Sequence, residues 1–329
     1  MARDQVHDDG SYPRADYRPA GTDTRVTTFA TLKRTLQEFS EDNLSVWAAA
    51  LTYTGLLSLF PALIALTSIV GLVGNPASTT KTLTQIVTGL GPQSAGSALS
   101  GPIQSITANR GAAGMALVIG LAAALWSASA YIGVFMQAAN IIYETPEGRP
   151  IWKRRPQQLL ITLIMTVFTA LTAIALVLTG PIVDAVAKPL GIGSTAVTIW
   201  NIAKWPVLVL AVLAMIDLLY YTSPNVQLKQ RGFRWVTKGA LLALVVWVLA
   251  SAAFAFYVSK FGSYNKTYGT LGGVVVLLVW LWLTNVALLL GLELNAERER
   301  TIELGDGVPG ADLEIQLEPR SRPTPRRTT

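Results

Sequence analysis

The chain has 329 residues, 51% of them hydrophobic and only 14% charged, with a formal net charge of +6. A soluble domain carries about 25% charged residues, so a mainly water-facing protein is excluded and membrane spans are expected. There is no cysteine and a single histidine, His7, which excludes disulfides, thiolate chemistry and histidine-rich zinc sites.

Residues 1–26 are rich in Pro, Gly, Asp and Arg and read as a disordered cytoplasmic tail. Within 27–43, Phe29, Leu32, Leu36 and Phe39 recur at helical spacing. That pattern predicts an amphipathic interfacial helix, lying on the cytoplasmic leaflet or docked on the bundle. No apolar h-region occurs in the first 43 residues, so no cleaved signal peptide is expected.

Six uncharged or nearly uncharged stretches follow in the region 44–303: about 44–73, 113–143, 159–180, 199–221, 239–258 and 271–292. Each approaches or passes the roughly 20 residues needed to cross about 30 Å of hydrocarbon. In that solvent backbone groups must be satisfied internally, so helices are predicted. The expected fold class is an all-α, polytopic six-helix bundle. Pro61 and Pro206 are candidate hinges within it. Lys204 and Asp217 flank the centre of the fourth stretch, near enough to its ends to snorkel. Residues 74–112 form an outer-face segment, re-entrant or interfacial, and 304–329 read as a second disordered tail.

Orientation comes from lysine and arginine in the connections. Arg149, Lys153, Arg154 and Arg155 lie in one loop, and Lys229, Arg231, Arg234 and Lys238 in another. With Arg25, Lys33, Arg34, Arg298 and Arg300 that side holds thirteen, against six on the other: Lys81, Arg110, Lys188, Lys204, Lys260 and Lys266. Both termini are therefore expected in the cytoplasm. These loops suit anionic lipid headgroups and account for the basic charge without nucleic acid. Trp126, Trp152, Trp200, Trp205 and Trp235 fall near the predicted interfaces.

Polar side chains inside apolar helices are costly unless partnered, and they are the best pointers to a site. Asn140, Asp217, Tyr221, Asn285, Glu293 and Asn295 are the candidate pathway or polar-core residues. Asn140 and Asn285 suit hydrogen bonds between helices. Asp217 suits an ion pair with Lys238 or Arg234, or a place along a pathway. Glu293 opposes the helix dipole at its own C-terminal end and calls for a nearby cation, either as an anchor on a loop arginine or as a gate. Gly120, Ala124 and Ala128, with Ser129 and Gly133 beside them, allow close helix contact.

Three stretches carry a resemblance: AAALTYTGLLSLFPALIAL around Ser58 and Pro61, LLYYTSPN, and SYNKTYGTLGGVVVLLVWLWLTNVALLLGLELNAERER. The last joins Tyr268-Gly269, an aromatic span with Trp280, and the Gly291, Glu293, Asn295 ending. Together, over about residues 28–300, they resemble the YihY/BrkB family of bacterial inner-membrane proteins. The resemblance implies six transmembrane helices with both ends inside the cell, at the cytoplasmic membrane. It also brings an old label, ribonuclease BN. That chemistry needs clusters of histidine and aspartate, and His7 alone does not provide it.

No P-loop, dinucleotide fingerprint, HExxH or nucleophile elbow is present, so no enzyme activity and no cofactor is expected. Two functions remain: a transporter or flippase-like permease for a lipid or amphiphilic solute, and a non-transporting scaffold of the envelope. A hydrated cavity reaching Asn285, Asp217 or Glu293 favours the first, and a dry, packed bundle the second. The expected partners are membrane lipids, with room for a homo-oligomer.

Overall fold

Seven α-helices run through the described part of the computed structural model, which covers residues 28–73, 110–177, 193–228, 236–260 and 270–322. They are α1 (Thr28–Glu41), α2 (Leu44–Val73), α3 (Arg110–Ile142), α4 (Ile151–Val177), α5 (Ser194–Thr222), α6 (Lys238–Lys260) and α7 (Thr270–Gly305). Among these residues there is no β-strand, only an isolated antiparallel bridge between Val226 and Pro319. Residues 1–26, nearly all of 74–112, and Arg234 lie outside the described residues.

Among the described residues, four helices contain segments long and apolar enough to cross a membrane: Val118–Ile142, Thr195–Thr222, Lys238–Lys260 and Gly272–Gly305. Leu44–Ser58 is a shorter apolar helix within the described side chains. Large apolar side chains cover the outside of these helices, among them Ile202 and Leu210 on α5, Leu249 and Phe256 on α6, and Val275 on α7. In water so broad an apolar surface would drive aggregation, whereas hydrocarbon leaves it at no disadvantage. The helix backbone runs through both Pro61 and Pro206. Lys204 is buried against its own helix, donating to Asn201 Oδ1 at 3.2 Å beside the Trp205 ring.

The core sits where α2, α3, α5 and α7 meet, around Leu44, Leu51, Phe135, Met136, Tyr220, Leu289 and Leu292. Phe135 and Tyr220 stack with ring centroids 6.4 Å apart. Helix α1 turns its Thr31, Thr35 and Phe39 side inward, while Leu32 and Leu36 remain 38% and 56% exposed. It is docked on the bundle and still offers an apolar edge. Asn43, in the left-handed region at φ 52°, makes the corner into α2, a conformation asparagine tolerates well.

Two boundaries differ from the sequence expectation. Helix α7 does not stop near Glu293: its charged continuation stays helical to Gly305, about 54 Å of helix at 1.5 Å per residue. The segment expected to be a disordered tail from residue 304 is packed as far as residue 322, burying Ala311, Ile315 and Leu317. Left-handed Gly307 and Gly310 turn the chain back, and Arg300 then gathers the carbonyls of Ala311, Asp312 and Leu313 at 2.9–3.1 Å. Composition missed this because the order comes from partners outside the segment, Arg300 first among them. Further on, Asn225 exchanges side-chain bonds with the Ser321 backbone at 2.8 and 3.1 Å, and Gln227 N donates to Glu318 O at 2.8 Å. Residues 306–322 thus form a strap across the loops that follow α3 and α5.

Helices α6 and α7 touch backbone to backbone at Gly239 and Gly291. A Cβ on Gly291 would meet the Gly239 carbonyl, and would lie 2.5 Å from the Tyr220 hydroxyl and 2.7 Å from Ala243 Cβ. Gly291→Val is therefore expected to cost about 1–3 kcal/mol through overpacking. Thermal unfolding of the detergent-purified protein measures it. Gly273→Ala, where the new Cβ meets nothing, should leave the midpoint unchanged.

Candidate functional site

Helix α6 begins with a cap that gathers two of the sequence candidates, Asp217 and Asn295. The first backbone N–H groups of a helix have no partner within it. Here Thr237 is the cap, its Oγ1 accepting from Ala240 N at 3.1 Å. The same hydroxyl donates to Asp217 Oδ1 at 2.5 Å and accepts from Asn295 Nδ2 at 3.0 Å. Thr237 N donates to Asp217 Oδ2, and Gly239 N to Asn295 Oδ1, both at 3.0 Å. Asp217 is therefore a structural acceptor that ties α5 to α6. The expected ion pair with Lys238 gives way to the Thr237 cap, because the helix start supplies N–H donors at closer range; Arg234, the other expected partner, lies outside the described residues.

In the middle of the bundle, Asn285 accepts from the Tyr131 hydroxyl at 2.7 Å and donates to Thr52 Oγ1 at 3.1 Å. This joins α7 to α3 and α2, as expected of an amide at that depth. Asn140, at the end of α3, accepts from Asn225 N at 2.8 Å and donates to Glu147 Oε2 at 3.1 Å. Glu147 in turn holds Arg149, with Nε and Nη2 both at 2.8 Å, and Arg149 reaches Ser223 O at 2.9 Å. Burial pushes the Glu147 carboxyl up, but the Arg149 and Asn140 bonds outweigh it and hold it below the usual range. Tyr221 stands apart from Asp217: its ring lies under the Arg320 guanidinium at 5.0 Å, and its carbonyl accepts from Arg320 at 2.9 Å.

Glu293 is different. It is 2% exposed, and its Oε2 has no hydrogen-bond partner. It lies within electrostatic reach of Asp42, Glu297, Glu38 and Glu144, an acidic cluster drawn from α1, α7 and the residues just after α1 and α3. Two guanidinium groups serve part of it. Arg34 pairs with Glu297 Oε2 at 3.3 Å, and Arg300 with Glu38 Oε1 at 3.0 Å and Glu297 Oε1 at 3.4 Å. Neither pairs with Glu293, and no other cation among the described residues does; Arg231 and Arg234 of the basic loop lie outside them. Glu144 is occupied otherwise, its Oε2 accepting from Ile315 N at 2.6 Å. Burial pushes the Glu144 carboxyl up.

The sequence singled out none of Asp42, Thr52, Tyr131, Glu144, Thr237 and Glu297, and took Arg300 only as an orientation charge. Thr237 carried a usable signal, being a threonine just before an apolar run. The acidic cluster carried none, because its members come from residues 38 to 300 and meet only on folding. A groove of about 660 Å³ also lies between α6 and α7, lined by Ser251, Phe254, Val258, Val276 and Trp280. It is apolar, and none of Asn285, Asp217 or Glu293 lines it. Among the described residues no group of three His, Cys, Asp or Glu side chains is arranged to hold a metal ion.

Residues 35–311 match the family model described as Virulence factor BrkB. YfkH of Bacillus subtilis (strain 168), whose name calls it ribonuclease-like, is 34% identical over 263 residues, covering 80% of this chain and 92% of that protein. The UPF0761 membrane protein VV0203 of Vibrio vulnificus (strain YJ016) is 25% identical over 294 residues, 86% of this chain and 88% of its own length. A UPF0761 membrane protein of Vibrio campbellii is 27% identical over 274 residues, 80% and 81% of the two chains. No solved structure matches the chain.

Burial, then Glu38, Glu144 and Glu41, push Asp42 up from 3.8 to about 6. Its folded state therefore binds the proton more tightly than the unfolded state, and its ionisation works against folding above about pH 6. That penalty fades as pH falls from about 6 towards 3.8. Glu144 acts in the same direction and Glu147 in the opposite one. Asp42→Asn should accordingly raise the unfolding midpoint at pH 7.5, with the gain shrinking to nothing near pH 4. A gain that grows on acidification would contradict this assignment.

Proposed function

Because the chain belongs to the virulence factor BrkB family, with membrane proteins among its relatives, we propose that it is a permease of the bacterial cytoplasmic membrane for a lipid or amphiphilic solute. It is a membrane protein with several apolar helices. The proposal adds six crossings, both termini inside, and movement of a solute through the bundle. Arg149, Lys153, Arg154, Arg155 and the basic loop before α6 support that orientation.

One observation carries the permease reading. Glu293 is buried with no counter-cation among the described residues and no hydrogen-bond partner for Oε2, in a bundle where Asn140, Asp217, Asn285 and Asn295 are tied to protein. A carboxyl kept only for packing would have been given a partner, since an uncompensated buried charge costs several kcal/mol. A group that must bind and release something has reason to remain unpaired. A second reading, the envelope scaffold, is favoured by a different observation. Asn140, Asp217, Asn285 and Asn295 all make their hydrogen bonds to protein, as in a bundle built only to pack. The ribonuclease-like name of the Bacillus relative does not extend here, because His7 is the chain's one histidine.

Purified protein reconstituted in liposomes is expected to scramble a fluorescent phospholipid or pass an amphiphile. Glu293→Gln should slow the flux at least tenfold, while Asn285→Ala should mainly lower stability, by about 1 kcal/mol or less. Absence of flux across a broad panel of lipids and amphiphiles would hand the case to the scaffold. Orientation is checked with Gln230→Cys, feasible because the chain has no other cysteine. An impermeant thiol reagent should label that position only after the cells are opened.

A further inference from the structure

Arg155 carries a positive charge to a place where the described residues offer no negative one. It lies in the first turns of α4, and its guanidinium stands 5.7 Å from the centre of the Trp126 ring on α3. Trp126 is 61% exposed and sits within Val118–Ile142, an apolar segment long enough to cross a membrane, several turns before its end. A close approach of α3 and α4 at Gly133 sets this up. A Cβ there would lie 3.0 Å from Gln158 Nε2, so the missing side chain lets Gln158 sit buried between the helices. From that seat Gln158 Oε1 accepts from Arg155 Nη1 at 3.4 Å, a long bond that holds the guanidinium near α3. Arg155 is exposed and makes no ion pair among the described residues. The two carboxylates of the loop between α3 and α4 are engaged elsewhere, Glu147 by Arg149 and Asn140, and Glu144 by Ile315 N.

We propose that Arg155, Trp126 and Gln158 form a binding site for the phosphate of an anionic phospholipid. The site goes beyond the permease reading and stands whether the chain moves a solute or organises the envelope. A cation beside an apolar span is costly in lipid unless it reaches a partner. The Trp126 ring face offsets part of that charge but does not neutralise it. Gln158 occupies one guanidinium N–H, which leaves the planar fork to make paired bonds to phosphate oxygens. Leu121 on α3, with Leu160 and Leu163 on α4, keeps large apolar surface exposed on the same two helices, which suits acyl chains and favours a lipid over a soluble phosphate. The headgroup is anionic because a zwitterionic one also brings an ammonium. With Glu144 and Glu147 engaged, that ammonium meets no free carboxylate of the loop and is repelled by Lys153 and Arg154. These two residues do not share the helix face of Arg155, but they add to the positive potential around it.

The test is native mass spectrometry of the full-length protein, released from detergent after incubation with equal amounts of phosphatidylglycerol and phosphatidylcholine. The protein should retain phosphatidylglycerol at least tenfold over phosphatidylcholine. Arg155→Gln should lower that retention at least tenfold, and Trp126→Leu about threefold. Lys260→Gln removes another exposed cation that stands over an aromatic ring, Phe256, and should leave retention unchanged. Should Arg155→Gln fail to fold, Trp126→Leu gives the answer alone. Equal retention of the two lipids, or retention of neither, overturns the proposal. Full retention in Arg155→Gln or in Trp126→Leu does the same, as does an equal loss in Lys260→Gln, which would reduce the effect to net charge. Millimolar glycerol 3-phosphate should not displace the lipid, and displacement would assign the site to soluble phosphate instead. Lipid retention without liposome flux retires the permease and keeps the site, whereas flux without retention does the reverse.

Discussion

Hydrocarbon cannot hydrogen-bond, so each polar group carried into this bundle has to find its partner on another part of the protein. The cap of α6 shows how far that constraint shapes the structure. Thr237 satisfies the helix start, Asp217 closes on Thr237 from α5, and Asn295 arrives from α7 to serve both Thr237 and Gly239. Three helices are fixed to one another by one unmet need of backbone N–H groups. Next to this knot, Gly239 and Gly291 let α6 and α7 approach to backbone contact, which brings Asn295 within reach.

The same rule explains Asn285 and Asn140. Each amide uses both ends, one to accept and one to donate, and each joins elements far apart in sequence. It also makes Glu293 conspicuous. In a bundle where the amides and Asp217 are matched, Glu293 faces other carboxylates, forms no ion pair among the described residues and leaves an oxygen bare. Cost therefore points to use more reliably here than polarity does, since most of the polar residues are accounted for by packing.

The strap adds a second layer of order outside the apolar helices. It is fastened at two places, by Arg300 near its start and by Asn225 near residue 321. Between them Ile315 N reaches Glu144 and Gln316 N reaches Glu303. Residues 306–322 therefore lie over the same end of the bundle as the acidic cluster around Glu293. They tie the chemistry of that end to the loops following α3 and α5.

Apolar length and periodicity were legible from composition alone: 51% hydrophobic residues, uncharged runs of membrane length and the helices they form are local properties. The bounds of α2 follow this way, as does the list of polar residues worth suspecting. Partner choice was not legible, since a charged neighbour in sequence such as Lys238 looks a better match for Asp217 than an uncharged threonine. Only the tertiary structure decided that Thr237 takes that place, that α7 continues to Gly305, and that Arg300 folds the following segment into a strap. The physical reason is that burial in lipid depends on a segment's own side chains, whereas hydrogen bonds and ion pairs depend on which distant groups folding brings within about 3 Å.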